Sequence, residues 1–406
     1  MHSTVRQHCD DVIGLSALVS SDQITASREK LDRKSGMPDD LSRDVYGILG
    51  IPIDAVELAN VVASIEKASA EGNPFLISTP NLNFLVSSQT DPAFRKSLWV
   101  SDLCPVDGVP IVWIARLLGV PIKRRVAGSD IFEALKSREN IGRPSRIFLF
   151  GGPPGVAEAA SNALNAEPDG VVCVGAFYPG FCSVEEMSSD EIIRTINASG
   201  ADFLILSLGA KKGQSWLIHN QSRLKIPVRS HLGAAINFQA GTLKRAPAFV
   251  RRFGLEWLWR IKEEPHLWTR YWHDGLVLLK LLLTRVLPLT FRAVLLRLSE
   301  KKNHESFSAQ SVGQKDVTTV SLSGAATASN VDRAIPIFRK ALLDNNDMRI
   351  DISGVRLLDA RFFGLFLMVW KQLNANGGQL EFVGLSSYTG KAFRLHGFEF
   401  LLAKPN

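Results

Sequence analysis

Three stretches of this 406-residue chain set chemically capable residues at informative spacings. In VDGVPIVWIARLLG (106–119) an acid and a glycine precede an almost wholly apolar helix. A helix start leaves backbone N–H groups unpaired and favours an acid, so Asp107 can act as a cap. A carboxylate in a cleft can also take a hydroxyl proton as that oxygen attacks, and Gly108 leaves room for the substrate. Neither role excludes the other. STPNLNFLVSSQTDPAFRKSL (78–98) closes a strand with Thr79, Pro80 and Asn81 and then opens a helix. Thr and Asn there suit either an N-cap or a ligand contact. In FLFGGPPGVAEAA (148–160) a strand meets Gly151, Gly152 and a helix start, whose N–H groups could face a phosphate. The GxGxxG spacing is missing and two prolines remove donors, which argues against a dinucleotide fingerprint. The chain has no Walker A, HExxH or GxSxG sequence. It has no DxD pair in residues 46–300, which argues against a metal-bridged nucleotide-sugar site of that type.

These residues need a scaffold. From about 46 to 240, strand-like runs alternate with helical patterns, the mark of an α/β fold with a mainly parallel sheet. The expected strands are 74–79, 145–152, 170–177, 202–209 and 227–233, with SDLCPV (101–106) as a short extra one. In such folds ligands gather at the carboxyl ends of strands, here Thr79, Asn81, Gly151, Gly152, Tyr178, Gly209 and Gly233. Residues 1–45 read as a polar leader without the apolar core of a signal peptide. Residues 303–316 read as a linker, and 317–406 as a second α/β unit. Its expected strands are 317–324, 348–354 and 377–385, with helices near 328–343, 361–375 and 388–396. Cys9, Cys104, Cys173 and Cys182 form no metal-like spacing and are expected as reduced cytosolic thiols.

The net charge of +7 is concentrated. Residues 242–302 hold 13 Lys/Arg against five acids, together with four of the eight tryptophans. Phe249, Phe253, Trp257 and Ile261 recur every four residues and would form one apolar helix face. The run 275–298 is apolar enough to suggest a membrane span, but Lys280, Arg285, Arg292 and Arg297 interrupt it. Each cation would cost about 2.5–3.5 kcal/mol near a bilayer centre. An amphipathic helix pair lying on an anionic membrane surface is the expectation. The rival is a helical hairpin packed on the catalytic domain. Nucleic acid is not an expected partner, because no binding motif accompanies the basic residues.

The run STPNLNFLV…DPAFRKSL…SDLCPVDGVPIVWIARLLGVPIKRRVAGSDIF resembles the WecG/TagA/CpsF glycosyltransferases. GAFYPGF, LSLGAKKGQSWL and HLGAAINFQAGTLKRAPAFVRRFGLEWLWRIKEEP continue the resemblance over about 46–275. It implies a Rossmann-like catalytic domain over 46–245 and a basic helical membrane-associating appendage over 246–302. It implies inverting transfer from a UDP-sugar, of N-acetylmannosamine, uronic or related hexose type, to an undecaprenyl-diphosphate-linked acceptor. By resemblance Asp107 is the general base and Thr79 a second catalytic residue, and Thr79 and Asn81 line the site with Gly108. Gly128, Ser129, Asp130, Gly151, Gly152, Tyr178, Gly180 and Phe181 join them, as do Gly209, Gln214, Trp216 and Asn237. Arg245, Arg251, Arg252 and Arg260 are candidates for the acceptor diphosphate and the membrane. No metal or other cofactor is expected, the leaving diphosphate being met by backbone donors and basic side chains.

Two segments depart from the family pattern. GAKKGQSW has Lys211, Gly213 and Gln214 for the usual Pro, Gln and Glu, and Asn237 replaces an acid. They mark a changed donor preference or weakened catalysis, so a nucleotide-sugar-binding regulator is the alternative function. Residues 348–402 resemble STAS domains of the anti-sigma-factor-antagonist type. In regulatory members a Ser or Thr follows the Asp that starts the second helix; here it is Ala360, so docking or self-association is expected rather than a phospho-switch. The resulting expectation is a bacterial exopolysaccharide or cell-surface polymer enzyme, cytoplasmic and peripheral on the inner face of the membrane.

Overall fold

The computed structural model describes residues 39–138, 143–167, 169–292, 307–313, 317–344 and 347–402. The leader expected over 1–45 lies outside the described residues up to Pro38, but from Asp39 the chain already belongs to the fold. Val45–Ile48 (β1) and Ile51–Asp54 (β2) form an antiparallel hairpin that the strand expectations missed. Helix α1 (Leu58–Glu71) follows, then β3 (Phe75–Ile77), α2 (Leu82–Thr90), α3 (Pro92–Trp99), α4 (Val109–Leu117) and α5 (Gly128–Lys136). The chain continues through β4 (Ser145–Gly151), α6 (Val156–Ala166), β5 (Val171–Phe177) and α7 (Asp190–Ala198). Then come β6 (Phe203–Ser207), α8 (Ala210–His219), β7 (Val228–His231) and α9 (Ala235–Gln239).

The five strands β3 to β7 form one sheet in the order β3-β7-β6-β4-β5, and every neighbouring pair is parallel. Alternate residues face opposite layers, as a period of two demands. Ile147, Leu149, Phe203 and Ile205 join the core with Ile65 of α1 and Phe132 of α5. Phe148, Phe150, Leu204 and Leu206 join Trp216 and Leu217 of α8. Both faces are covered, which is why these strands read as continuous apolar runs. The expected strand at 101–106 is instead an extended segment held by single bridges, Ile77 to Leu103 and Asp54 to Pro105.

The basic segment departs from the single helix expected around Phe249–Ile261. Gly254, at φ 73°, separates α10 (Ala248–Arg252) from α11 (Glu256–Glu263). The expected helix pair over 275–298 is one continuous helix as far as it is described. Helix α12 (Trp268–Leu281) runs through a π-turn, Leu282–Val286, and residues 287–292 remain helical. Pro288 has no N–H for the carbonyl four residues back, and the widened turn just before it absorbs that loss. No helix among the described residues is long and apolar enough to cross a membrane.

The C-terminal unit begins inside the expected linker. Ser308–Gly313 (β8) pairs antiparallel with β9 (Val317–Ala326), while 303–306 and 314–316 lie outside the described residues. Helix α13 (Val331–Asp344), β10 (Asp347–Leu358), α14 (Ala360–Ala375), β11 (Leu380–Val383) and α15 (Ser387–His396) complete it. The sheet order is β11-β10-β9-β8, with β10 parallel to both β9 and β11. This unit is not separated from the first. Leu41, Val45 and Trp99 belong to the same core as Phe338, Phe362 and Phe366. Gly364 makes that approach possible, because a Cβ there would meet the Val45 carbonyl oxygen at 1.9 Å.

Candidate active site

Asp107 sits where three loops meet, those leading into α2, α4 and α5. Its N–H donates to the Pro80 carbonyl at 2.9 Å, joining it to the loop that carries Thr79 and Asn81. On the other side the Val126 N–H donates to the Val106 carbonyl at 2.7 Å, and the Gly128 N–H bonds the Asp107 carboxylate. The helix cap proves to be Gly108, at φ 115° and ψ 129°, and the Asp107 side chain makes no capping bond to α4. The carboxylate is therefore turned towards α5. Asn81 does cap its helix, accepting from the Phe84 N–H at 3.2 Å. Thr79 is buried beside it at the end of β3.

Burial pushes the Asp107 carboxyl up to about 7 even though the side chain keeps partial access to solvent. The Arg125 guanidinium pulls it back, while the Glu256 and Asp130 carboxylates reinforce the rise. Arg125 pairs with Glu256 through both guanidinium nitrogens, one bond being 2.7 Å. Burial alone would weaken the Arg125 charge, but Glu256 and the neighbouring acids hold its pKa above the ordinary value. Sequence reasoning missed this pair: the partners are 131 residues apart, and only their side-by-side arrangement reveals them.

The appendage closes over this loop. A Cβ at Gly254 would meet Val109, the first residue of α4, at 2.8 Å. Arg245, a candidate for the acceptor diphosphate, is paired with Asp130 and donates to Ser129 at 3.2 Å. Arg260 is likewise paired with Glu264 and lies over the Phe238 ring, next to Asn237. Arg251 keeps a buried Nε without a hydrogen-bond partner. The Arg252 side chain lies outside the described residues.

The other expected residues line up along the same sheet edge. The chain leaves β4 towards β5 and returns on the opposite side to β6, so a topological switch point lies between β4 and β6. Gly151 and Gly152 end β4 there, and Gly209 precedes α8. The Gly152 N–H is already given to the Ser207 carbonyl at 2.7 Å, so it is not the phosphate donor expected. Tyr178, Gly180 and Phe181 stand past the end of edge strand β5, where Tyr178 and the 88% exposed Phe181 meet edge to face. Four strand spacings of about 4.8 Å put them about 19 Å along the sheet from Thr79. Asn237 lies in α9 beyond β7, half-buried.

Two expected contacts are corrected. Trp216 is wholly buried against Phe150, and its indole N–H donates to the Met187 carbonyl at 3.0 Å, so it is core. Gln214 is also interior, donating to the Ser78 hydroxyl at 2.7 Å. It supports the residue before Thr79 and does not reach the cleft. Gly213 lies against His231, where a Cβ would fall 2.5 Å from the ring. The His231 ring is buried and its pKa falls to about 4, so it stays neutral. Lys211 pairs with Asp91 at 3.5 Å on the surface. Of the GAKKGQSW departures, Gly213 and Gln214 thus repack the layer beneath the site, while Lys211 lies outside it.

In the second unit Asp359 caps α14 by accepting from the Arg361 and Phe362 N–H groups, and Ala360 follows it, buried. Ala360 faces a cavity of about 290 Å³ at the seam with the first unit, shared with Leu118, Arg292, Tyr388 and His396.

The family described as "Glycosyl transferase WecG/TagA/CpsF family" matches residues 46–290, and the STAS family described as "Mlab, STAS domain" matches 310–403. An N-acetylglucosaminyldiphosphoundecaprenol N-acetyl-beta-D-mannosaminyltransferase from Bacillus spizizenii is 27% identical over 216 residues, 53% of this chain and 81% of that protein. A protein of the same name from Staphylococcus aureus is 23% identical over 215 residues, 52% of this chain and 82% of that protein. Among solved structures, an anti-sigma factor antagonist from Mycobacterium paratuberculosis aligns with 24% of this chain and 83% of its own, at 17% identity and a TM-score of 0.22.

Proposed function

Because the chain belongs to the WecG/TagA/CpsF family of glycosyl transferases, we propose that it moves an N-acetylmannosamine-type or related sugar from a UDP-sugar to a polyprenyl-diphosphate-linked acceptor. The acceptor hydroxyl oxygen attacks the anomeric carbon and forms the new glycosidic bond. The bond from that carbon to the UDP oxygen breaks, and its electron pair leaves with UDP. Asp107 takes the acceptor proton, and a single displacement inverts the centre. The observation that carries this reading is the Asp107 carboxyl, raised to about 7 where the Thr79–Asn81, Gly108 and Gly128 loops converge. A base of that strength is matched to a neutral medium. Arg251, with its unpartnered buried Nε, is the first candidate to meet a diphosphate. Two of the departures from the family pattern, Gly213 and Gln214, lie under the site and leave Asp107 and Thr79 in place, which supports an enzyme over a regulator that only binds nucleotide-sugar.

A membrane-surface location supplies the lipid-linked acceptor. Trp268, Trp272, Leu276, Leu279, Leu283 and Leu287 recur at intervals of three or four along one side of the α12 helix and its continuation, all exposed, Trp272 at 65%. Phe253, at 70%, is a further exposed apolar side chain, next to the Gly254 that packs on Val109. Such a face, on a helix that also exposes Arg270 and Lys280, suits the boundary between headgroups and acyl chains. The test is release of UDP from a panel of UDP-sugars by purified protein with an undecaprenyl-diphosphate-linked N-acetylglucosamine acceptor in vesicles. Acceptor-dependent release with UDP-N-acetylmannosamine or a near relative is expected, and no release with any donor refutes the reading.

A further inference from the structure

The STAS unit grips the segment that delivers Asp107. The Lys371 ammonium, near the end of α14, donates to Asp102 Oδ1 at 2.7 Å, to Asp40 Oδ1 at 3.0 Å and to the Ser101 carbonyl at 3.3 Å. All three of its donors are thereby used. Asp102 Oδ2 accepts from the Leu76 N–H at 2.8 Å, and the Asp102 N–H returns to the Leu76 carbonyl at 2.8 Å. One STAS side chain therefore holds both the segment leading to Asp107 and the strand leading to Thr79 and Asn81.

From there the segment is held almost residue by residue. The Ser78 N–H donates to the Leu103 carbonyl at 3.0 Å. The Cys104 N–H donates to Asp54 Oδ2 at 2.6 Å, and its carbonyl accepts from the Asp54 N–H at 2.9 Å. Arg43 pairs with Asp54 at 2.7 Å, donates to the Ser101 carbonyl at 3.1 Å and touches Met368 Sδ of α14 at 3.4 Å. Pro105 bridges to Asp54, Val106 is bonded through Val126, and Asp107 through Pro80. An extended run of five residues, about 17 Å long, joins Asp102 to Asp107 with little slack. Burial opposes the Lys371 charge, yet the Asp102 and Asp40 carboxylates hold its pKa above the ordinary value, so the grip persists throughout the neutral range.

We propose that Lys371 is a positioning residue for sugar transfer, and that the partner of this STAS domain is the transferase of its own chain, whose Asp107 loop it holds in register. The proposal rests on the reading of Asp107 as the base. Neither Lys371 nor Asp102 reaches the reacting atoms; they act through the backbone between them and Asp107. A shift of about 1 Å at a reacting group can cost 100-fold in rate, whereas the strand ends of β4 and β6 stand apart from this grip.

The test uses the full chain, assayed well below each variant's melting midpoint and normalised to folded protein. Lys371→Met is expected to lower kcat 10- to 100-fold, to leave the donor KM within about twofold, and to be largely rescued by Lys371→Arg. Wild-type kcat per folded molecule, or a Lys371→Arg variant no better than Met, overturns the proposal. If Lys371→Met does not fold, Asp102→Asn keeps an acceptor for the Leu76 N–H while removing the charge facing Lys371. The same kcat loss is expected from it, and wild-type turnover overturns the proposal. Adding Lys371→Met to Asp107→Asn should bring little further loss; full additivity refutes action through Asp107. Normal turnover by Asp107→Asn alone sinks the base reading instead, a result distinct from either failure of Lys371.

Discussion

Replacing Asp107 by Asn should make the protein more stable while disabling it, and the stability gain should depend on pH in a defined direction. The folded carboxyl titrates near 7 against an ordinary value of 3.8, so the folded state holds the proton more tightly than the unfolded chain. Below the unfolded value both states are protonated and the group contributes nothing. Between the two values the unfolded chain ionises first, and folded stability falls as pH rises. Above about 7 the penalty is complete. Three units at about 1.4 kcal/mol each give about 4 kcal/mol, an upper figure because the side chain keeps partial solvent access. By linkage, wild type loses about 2.5 kcal/mol between pH 5 and pH 8 through this group, and the Asn variant loses none of it. Melting midpoints of both proteins at the two pH values should therefore show a gap that widens in favour of Asn. Turnover should fall by about 100- to 10,000-fold, the range for removing a general base. A gap independent of pH would refute the burial argument, and preserved turnover would refute the base.

Three further outcomes follow from the geometry. If Asp107 must be ionised to act, kcat/KM rises with pH through about 7; Arg125→Met should move that limb up and Glu256→Gln should move it down, because the two groups act on Asp107 with opposite sign. Equal shifts in one direction in the two pH–rate profiles would contradict the arrangement. Changing both Trp268 and Trp272 to Ser should weaken co-sedimentation with anionic vesicles at least tenfold, since each large apolar side chain fully buried is worth about 1.5–3 kcal/mol; unchanged sedimentation removes this face from membrane contact. Restoring the family residue with Gly213→Gln should lower the melting midpoint, because its Cβ meets the His231 ring at 2.5 Å; a midpoint at or above wild type in a thermal melt would show that the ring yields.

The sheet was legible because its strands are buried on both faces and bounded by Gly, Pro or polar residues. Expected and observed strands of this sheet, 145–152 against Ser145–Gly151 for instance, differ by no more than two residues at either end. The hairpin Val45–Asp54 was not, because Gly47, Gly50 and Pro52 break its pattern and its reason for existing, α14, lies some 310 residues on. Thr79 and Asn81 could be placed past a strand end, and Asp107 and Gly108 at a helix start, from local pattern alone. Trp216 could not be judged that way. An aromatic side chain in a motif looks the same on a cleft wall as in a core, and only the Phe150 ring and the Met187 carbonyl decide between them. The β8 strand was hidden for a related reason: SAQSVG is edge-strand sequence, largely exposed, with little apolar signal.

The basic segment answers two demands with opposite faces, and that limits how its role can be dissected. Outward it presents Phe253, Trp257 and Leu258, all exposed. Inward the same stretch packs Gly254 on Val109 and pairs Glu256 with Arg125. Burial is the largest contribution to the raised Asp107 carboxyl, and this segment packs on the nearby Val109 and adds the Glu256 charge. Deleting residues 246–300 would therefore uncover Asp107, free Arg125 to draw its pKa down, and strip the apolar surface in one step. Loss of activity in that deletion could not distinguish release from the membrane from a base that had become too weak. Substitutions confined to one face separate the two: a Trp272→Ser variant changes the outward surface alone, and Glu256→Gln the inward one. A protein that leaves vesicles but keeps its pH profile, set beside one that stays bound with a shifted profile, assigns each face its own function.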